Sequence, residues 1–304
     1  MFVDLLCGLS SLVDAGIPCE PLDMPRAPGE SPYTEIAPPA DLAVYVDRLW
    51  LRTCRAEHAG RLHRVLPDGC VDVIVDPGRG TAELVGTMTR AIEMTEQAGE
   101  IVAVRFKPGT AAALTGFALA DLTDRSVALA DADLDLVPGD LAGRIIDAPS
   151  APAARLPAKL PFATAAHARL AALVAWLRAR LADAARPDPL IARAVALLST
   201  GDARVDDVAT GLGVTRQHLA RGFRREVGIT PKQLARIARM QRAATLLRRG
   251  GDLARLAAEL GYFDQSHLTH DLRDLAGLTP AAVAAEQPIS LAHLFGINDH
   301  AGAI

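Results

Sequence analysis

The chain of 304 residues carries 32 Lys or Arg against 36 Asp or Glu, a formal net charge of −4, and half of it is hydrophobic although only 4% is aromatic. That length exceeds one average domain and allows two, each able to bury its own core, and the dominance of Ala and Leu leans helical. The acidic balance argues against a non-specific architectural DNA binder, which would need broad positive charge and stays an alternative, and four cysteines without a CxxC pair (Cys7, Cys19, Cys54, Cys70) argue against a disulfide framework.

Residues 1–30 read as an extension that is expected either to be poorly ordered or to result from the choice of start site. The stretch after Met1 lacks a basic region, carries Asp4 and Asp14 and is too short to span a bilayer, and Met24 opens a Pro-rich segment with Pro25, Pro28, Pro32, Pro38 and Pro39. A cytoplasmic protein without membrane contact is expected. From 31 to 147 the pattern is short and mixed. Alternation in Val71–Asp76 and Ile101–Phe106 predicts half-buried strands, Pro67–Gly69, Asp76–Gly80 and Lys107–Gly109 supply turns, and helical pieces are expected near Asp41–Leu51 and Thr110–Leu119. The expected fold class is therefore multidomain, with a β-containing α+β domain first.

Residues 148–186 read as a linker followed by an amphipathic helix. Prolines make 148–161 semi-extended, and from 163 to 185 Leu170, Leu173, Val174, Leu177 and Leu181 recur at helical spacing. That stripe must bury against its own domain or against the same helix of a second copy; two heptads do not decide between them.

Residues 187–287 read as an all-α domain with two helix-turn-helix units. This region holds 14 Arg or Lys against 11 Asp or Glu, whereas residues 1–186 hold 18 against 24, so the basic balance sits where phosphate neutralisation would need it. In the first unit Val205, Val208, Ala209 and Leu212 face inward, Gly211 and Gly213 supply the turn, and Thr215 caps a second helix with Leu219 and Phe223 in the core. A recognition helix reads base edges from its N-terminal residues, which nominates Gln217 for adenine and Arg221 for guanine. Arg216, Arg224, Arg225 and Lys232 are the candidate phosphate contacts.

In the second unit Leu253, Leu256, Ala257 and Leu260 form the inner stripe, Gly261 turns the chain, and Asp264 caps a helix with Leu268 and Leu272 inside. Gln265, Ser266, Thr269 and His270 are its candidate base contacts and Arg273 its phosphate contact. The connecting helix opens at Thr230-Pro231, stops near Gly250-Gly251, and at about 1.5 Å per residue spans roughly 27 Å. That length is near the ~34 Å of one DNA turn, so it can set two reading helices into successive major grooves. Residues 288–304 form a tail without a readable signal.

Each unit is followed by Gly-x-Thr-Pro, and the run Leu212–Lys232 together with Leu260-Gly-Tyr-Phe-Asp-Gln-Ser-His-Leu268 resembles the DNA-binding domain of AraC-type bacterial transcription regulators. The resemblance implies base contact by Arg221, with Gln217 and Ala220 at the other reading positions. Where the family shows Arg and then a core Phe, the second unit has His270 and Leu272. The first domain, through Arg64–Asp72 and Val104–Gly116, is similar to a sensor-type domain that accompanies such readers, which implies modulation by a small molecule. The expected partners are double-stranded promoter DNA, a small-molecule effector, RNA polymerase and a second copy of the chain.

Two other classes compete. A metal- or thiol-dependent enzyme, or a methyl-acceptor sensor, would use Cys54 and Cys70 with His58, His63, Asp68 and Asp72, but C-x3-H-x4-H-x6-C fits no common zinc spacing. His267 and His270 lack a third ligand at useful spacing. No cofactor, metal or enzymatic activity is expected.

Overall fold

The computed structural model describes residues 33–115, 117–129, 143 and 164–285. The extension 1–30, the Pro-rich linker 148–161, the tail 288–304 and with them Cys7 and Cys19 lie outside the described residues. Eight strands form among the described residues: β1 Tyr33–Ile36, β2 Val46–Cys54, β3 Leu62–Val65, β4 Val71–Asp76, β5 Thr81–Val85, β6 Ile92–Thr95, β7 Gly99–Phe106 and β8 Ser126–Ala128. Six make one sheet in the order β1-β2-β7-β4-β5-β8, and β3 pairs with β6 beside it. Every pairing is antiparallel.

The alternation in β4 works as expected: Val71, Val73 and Val75 are buried on one face, with Asp72, Ile74 and Asp76 on the other. On the same buried face Val102, Val104 and Phe106 of β7 join Leu49 and Leu51 of β2 in one core. The helix expected near Asp41–Leu51 does not form. Residues 40–45 turn, and β2 begins at Val46 and pairs along β7 from Val46↔Phe106 to Cys54↔Gly99; cross-strand partners that local sequence cannot see override the helical reading. The expected Thr110–Leu119 helix shrinks to one turn, α1 Ala112–Thr115, followed by a 3₁₀ turn at Leu119–Leu122.

Helix α2, Thr164–Leu181, covers the buried face of the sheet. Leu170, Leu173, Val174, Leu177 and Leu181 all lie inside the sheet's core, so the stripe packs within its own domain and is not a dimer seam. Full burial of such side chains contributes about 1.5–3 kcal/mol each. Arg169 pairs with Glu100 of β7, and Arg178 holds both carboxylate oxygens of Asp41 at 2.6 and 3.1 Å.

The C-terminal domain is helical: α3 Pro189–Leu198, α4 Val205–Gly211, α5 Arg216–Glu226, α6 Pro231–Arg248, α7 Leu253–Glu259, α8 Gln265–Ala276 and α9 Pro280–Ala285. Asp188 caps α3 by accepting from the Leu190 N–H at 2.9 Å, and Thr230 with Gln233 closes a capping box on α6. Helix α6 is the central post: Leu234, Ile237, Met240, Ala243, Ala244 and Leu247 enter the core from it. Leu66, from the loop after β3, lies inside that same C-terminal core. Beside it the Gln241 amide of α6 donates to the Pro67 carbonyl at 2.6 Å.

Candidate nucleic-acid interface

Both helix-turn-helix units are built by the same local rules. In the first, Gly213 takes a left-handed φ of +69°, and in the second Gly261 takes the same value; side-chain residues pay a steric penalty there. Gly211, expected to share the first turn, is instead the last residue of α4. The chain then returns identically: Val214 N–H donates to Ala209 at 3.0 Å, and Tyr262 N–H to Ala257 at 2.9 Å. Thr215 accepts from His218 N–H at 3.1 Å and Asp264 from His267 N–H at 2.7 Å, which starts α5 and α8.

The inner face of each reader is sealed. Leu219 and Phe223 of α5, and Leu268 and Leu272 of α8, are fully buried. Opposite them Gln217, Arg221 and Arg224 of α5 are exposed, with Ala220 half-buried. On α8 Gln265, Ser266, His270 and Arg273 are exposed, and Thr269 is half-buried. Burial thus divides both helices along the line that the i, i+4 pairs predict.

The basic residues differ in how firmly they are held. Arg216 reaches back to Asp206 of α4 at 2.6 Å on open surface, and Arg225 bonds Glu226 at 2.7 Å with Asp188 at 3.8 Å. Such exposed pairs contribute under about 1 kcal/mol, so a phosphate can replace the carboxylate. Lys232 is exposed on the first turn of α6.

Three features escaped the sequence reading. Phe263, in the turn just ahead of α8, is 91% exposed; periodicity gives no signal for an outward aromatic. Arg236 of α6 bonds the buried Asp271 at 2.8 Å and Asp274 at 2.6 Å, locking α8 to the central post. Arg239 lies over the Tyr262 ring at 5.4 Å, and burial raises that phenol's pKa.

The residues nominated for metal or thiol chemistry stand apart from this surface. Cys54 lies against Glu96 and the Arg55 carbonyl, and Cys70 is fully enclosed, where burial pushes its thiol up and keeps it protonated. A protonated, enclosed thiol is a poor nucleophile. Among the described residues no three His, Cys, Asp or Glu side chains converge on one point. The polar centre of the first domain is instead Arg105, buried between Asp72 at 3.2 Å and Asp68 at 3.5 Å, with Trp50 donating to Asp72 at 3.0 Å. Asp68 is pushed up to about 6 by burial, against the pull of Arg105. No helix among the described residues is long and apolar enough to cross a membrane.

Residues 34–128 match a domain of unknown function, DUF6597, and residues 208–286 match the helix-turn-helix domain family. The C-terminal domain of AraT, a response regulator from Geobacillus stearothermophilus, is 26% identical over 38% of this chain and 96% of its own, with a TM-score of 0.32. An AraC-type regulator from Chromobacterium violaceum is 26% identical over 32% of this chain and 90% of its own, at 0.30. Unsaturated fatty acid-bound ToxT from Vibrio cholerae is 11% identical over 85% of this chain and 96% of its own, at 0.36. No curated protein matches the chain.

Proposed function

We propose that this chain, an AraC-type helix-turn-helix transcription regulator with a DUF6597 domain ahead of its reader, binds one promoter sequence selectively through both units. The observation that carries the reading is the division of α5 and α8 into a sealed inner face and an exposed polar outer face. Arg221 offers the fork that fits guanine and Gln217 the amide that fits adenine; Gln265, Ser266, Thr269 and His270 supply hydrogen-bonding groups from the second helix. Arg216, Arg224, Arg225, Lys232 and Arg273 neutralise phosphates. Phe263 adds an apolar contact of the kind that a thymine methyl accepts. The function is binding in the cytoplasm rather than catalysis.

The test uses the full chain at physiological salt. One duplex enriched from a random library should outcompete random DNA, and Arg221→Ala should lose affinity at particular base pairs only. Equal loss on selected and random DNA would remove Arg221 from base reading.

The same proposal includes control by a small molecule bound in the first domain. Its support is the loop Leu66–Cys70: Asp68 belongs to the buried Arg105 cluster, Pro67 accepts from Gln241 of α6, and Leu66 enters the reader's core. A ligand that favours one arrangement of the first domain therefore has contacts through which to bias α6. A metabolite that raises the melting temperature of the full chain should change its DNA affinity, and Gln241→Leu should weaken that response. If every stabilising metabolite leaves DNA affinity unchanged, the control falls.

A further inference from the structure

The carbonyls that end a helix have no partner within it and must find one elsewhere. At the end of α5 those partners come from the first domain. The Thr87 hydroxyl donates to the Val227 carbonyl at 2.6 Å, and the Thr123 hydroxyl donates to Gly228 at 2.7 Å. At the end of α8 the same is true: the Ala91 N–H donates to the Leu275 carbonyl at 2.7 Å, and the Arg64 guanidinium to Ala276 at 3.3 Å. Arg90 adds an ion pair to Asp274 at 3.1 Å, a cation where the helix dipole is negative.

Thr87 and Ala91 sit four residues apart on one connection between β5 and β6. Four extended residues reach at most about 14 Å from Cα to Cα, so this segment holds the C-terminal ends of both readers within a short fixed span, independently of α6. The segment is itself braced. The Thr89 N–H and hydroxyl both bond Asp124 at 2.6 Å, the Asp124 N–H returns to the Thr87 carbonyl at 3.0 Å, and the Gly86 N–H donates to the Arg125 carbonyl at 2.9 Å. A Cβ on Gly86 would lie 1.9 Å from the Leu122 carbonyl oxygen, so no larger residue fits where the strap meets the 3₁₀ turn. Thr87 is completely buried in this contact. The outward, N-terminal halves of α5 and α8 that carry Gln217, Arg221, Gln265 and Ser266 are left open.

We infer that the segment Gly86–Ala91 is a spacing strap: by bonding the rear ends of both reading helices it sets their separation and angle, and Thr87 is a positioning residue for DNA recognition although it faces away from the DNA side. The inference rests on the proposal that α5 and α8 read DNA. It assigns the first domain a part in which spacing between two half-sites is accepted, besides any part in sensing.

The experiment uses the full chain with Thr87→Val, which keeps the shape and removes the donor, Thr87→Ser, which restores it, and Arg90→Ala, an exposed change that leaves the fold intact. A duplex selected from random 40-bp DNA by the unsubstituted chain is footprinted, and 1 or 2 bp are inserted between its two protected segments. The unsubstituted chain should lose about tenfold affinity per inserted base pair, Thr87→Val under about threefold, and Thr87→Ser about tenfold again, with Arg90→Ala between. In parallel, nitroxides at His218→Cys and Gln265→Cys, with Cys7 and Cys19 replaced by Ser, report the reader-to-reader distance without DNA; Thr87→Val should broaden that distribution and Thr87→Ser should not. An unchanged spacer penalty and an unchanged distance distribution in Thr87→Val overturn the strap, and should Thr87→Val fail to fold, the same two results in Arg90→Ala do so. If no duplex is enriched yet the distances respond, the reading of DNA fails while the strap stands.

Discussion

The two reading helices rest on equivalent supports and present different faces. Both follow a left-handed glycine and an oxygen cap, and both bury an i, i+4 apolar pair. Outward, α5 shows Arg216, Arg221, Arg224 and Arg225, whereas α8 shows Gln265, Ser266 and His270 with Arg273. Inward, α8 has what α5 lacks, a carboxylate pair held by Arg236 of the central helix. On the proposed reading of DNA, the first unit has the charge to dominate affinity, and the second has the fixed orientation to set register. Support and recognition are encoded at separate positions of the same helix, so one can be duplicated while the other diverges.

The largest effects should fall on the shared supports. Phe223→Ala is expected to cost about 3–5 kcal/mol and Leu272→Ala about 2–5 kcal/mol by denaturant unfolding, because each empties a fully enclosed site. A cost below 1 kcal/mol at either would break the equivalence. Next comes the asymmetry: Asp271→Asn removes the carboxylate under Arg236 and should cost about 2–3 kcal/mol, somewhat below a wholly buried pair because Arg236 is partly exposed. Hydrogen exchange should place that loss in α8, with α5 unaffected.

Smaller effects concern the faces. Arg221→Ala should lose about 1–3 kcal/mol at particular base pairs, and Arg224→Ala should weaken all sequences alike and lower the salt slope by about 1. His270→Ala should lose less than Arg221→Ala; a larger loss would reverse the assignment of affinity to the first unit. The smallest effect is acid sensitivity. The Arg236 hydrogen bond, helped by Arg90 and opposed by slight burial, holds the Asp274 carboxyl below its usual 3.8. A depressed carboxylate contributes stability that is complete above its unfolded value and is lost as pH falls through the folded one. Exchange in α8 should therefore rise below about pH 4 relative to α5, and Asp274→Asn should flatten that difference.

Most of the C-terminal domain was legible because its determinants are local. Thr215, Asp264 and Thr230 announce helix starts, and the pairs Leu219/Phe223 and Leu268/Leu272 announce the buried side within a single turn. Exposure of Gln217, Arg221, Gln265 and Ser266 follows from that phase alone. In the first domain β2 was read as helix since its partners on β7 lie about fifty residues away. The contacts between domains left no trace at all: Thr87 and Val227 are 140 positions apart, and neither a period nor a motif links them. Phe263 was hidden for another reason, as an apolar residue turned outward reads like one turned in.

Leu66 gives the architecture a direction in time. It fills the core of the reading domain, yet it is synthesised 125 residues before Ile191, the first core residue of α3. At translation rates of about 5–20 residues per second, Leu66 is synthesised roughly 6–25 s before Ile191. The core of the sheet is complete only once α2, which ends ten residues before Ile191, has been made, and a fragment beginning at residue 187 would close the second core without the Leu66 side chain.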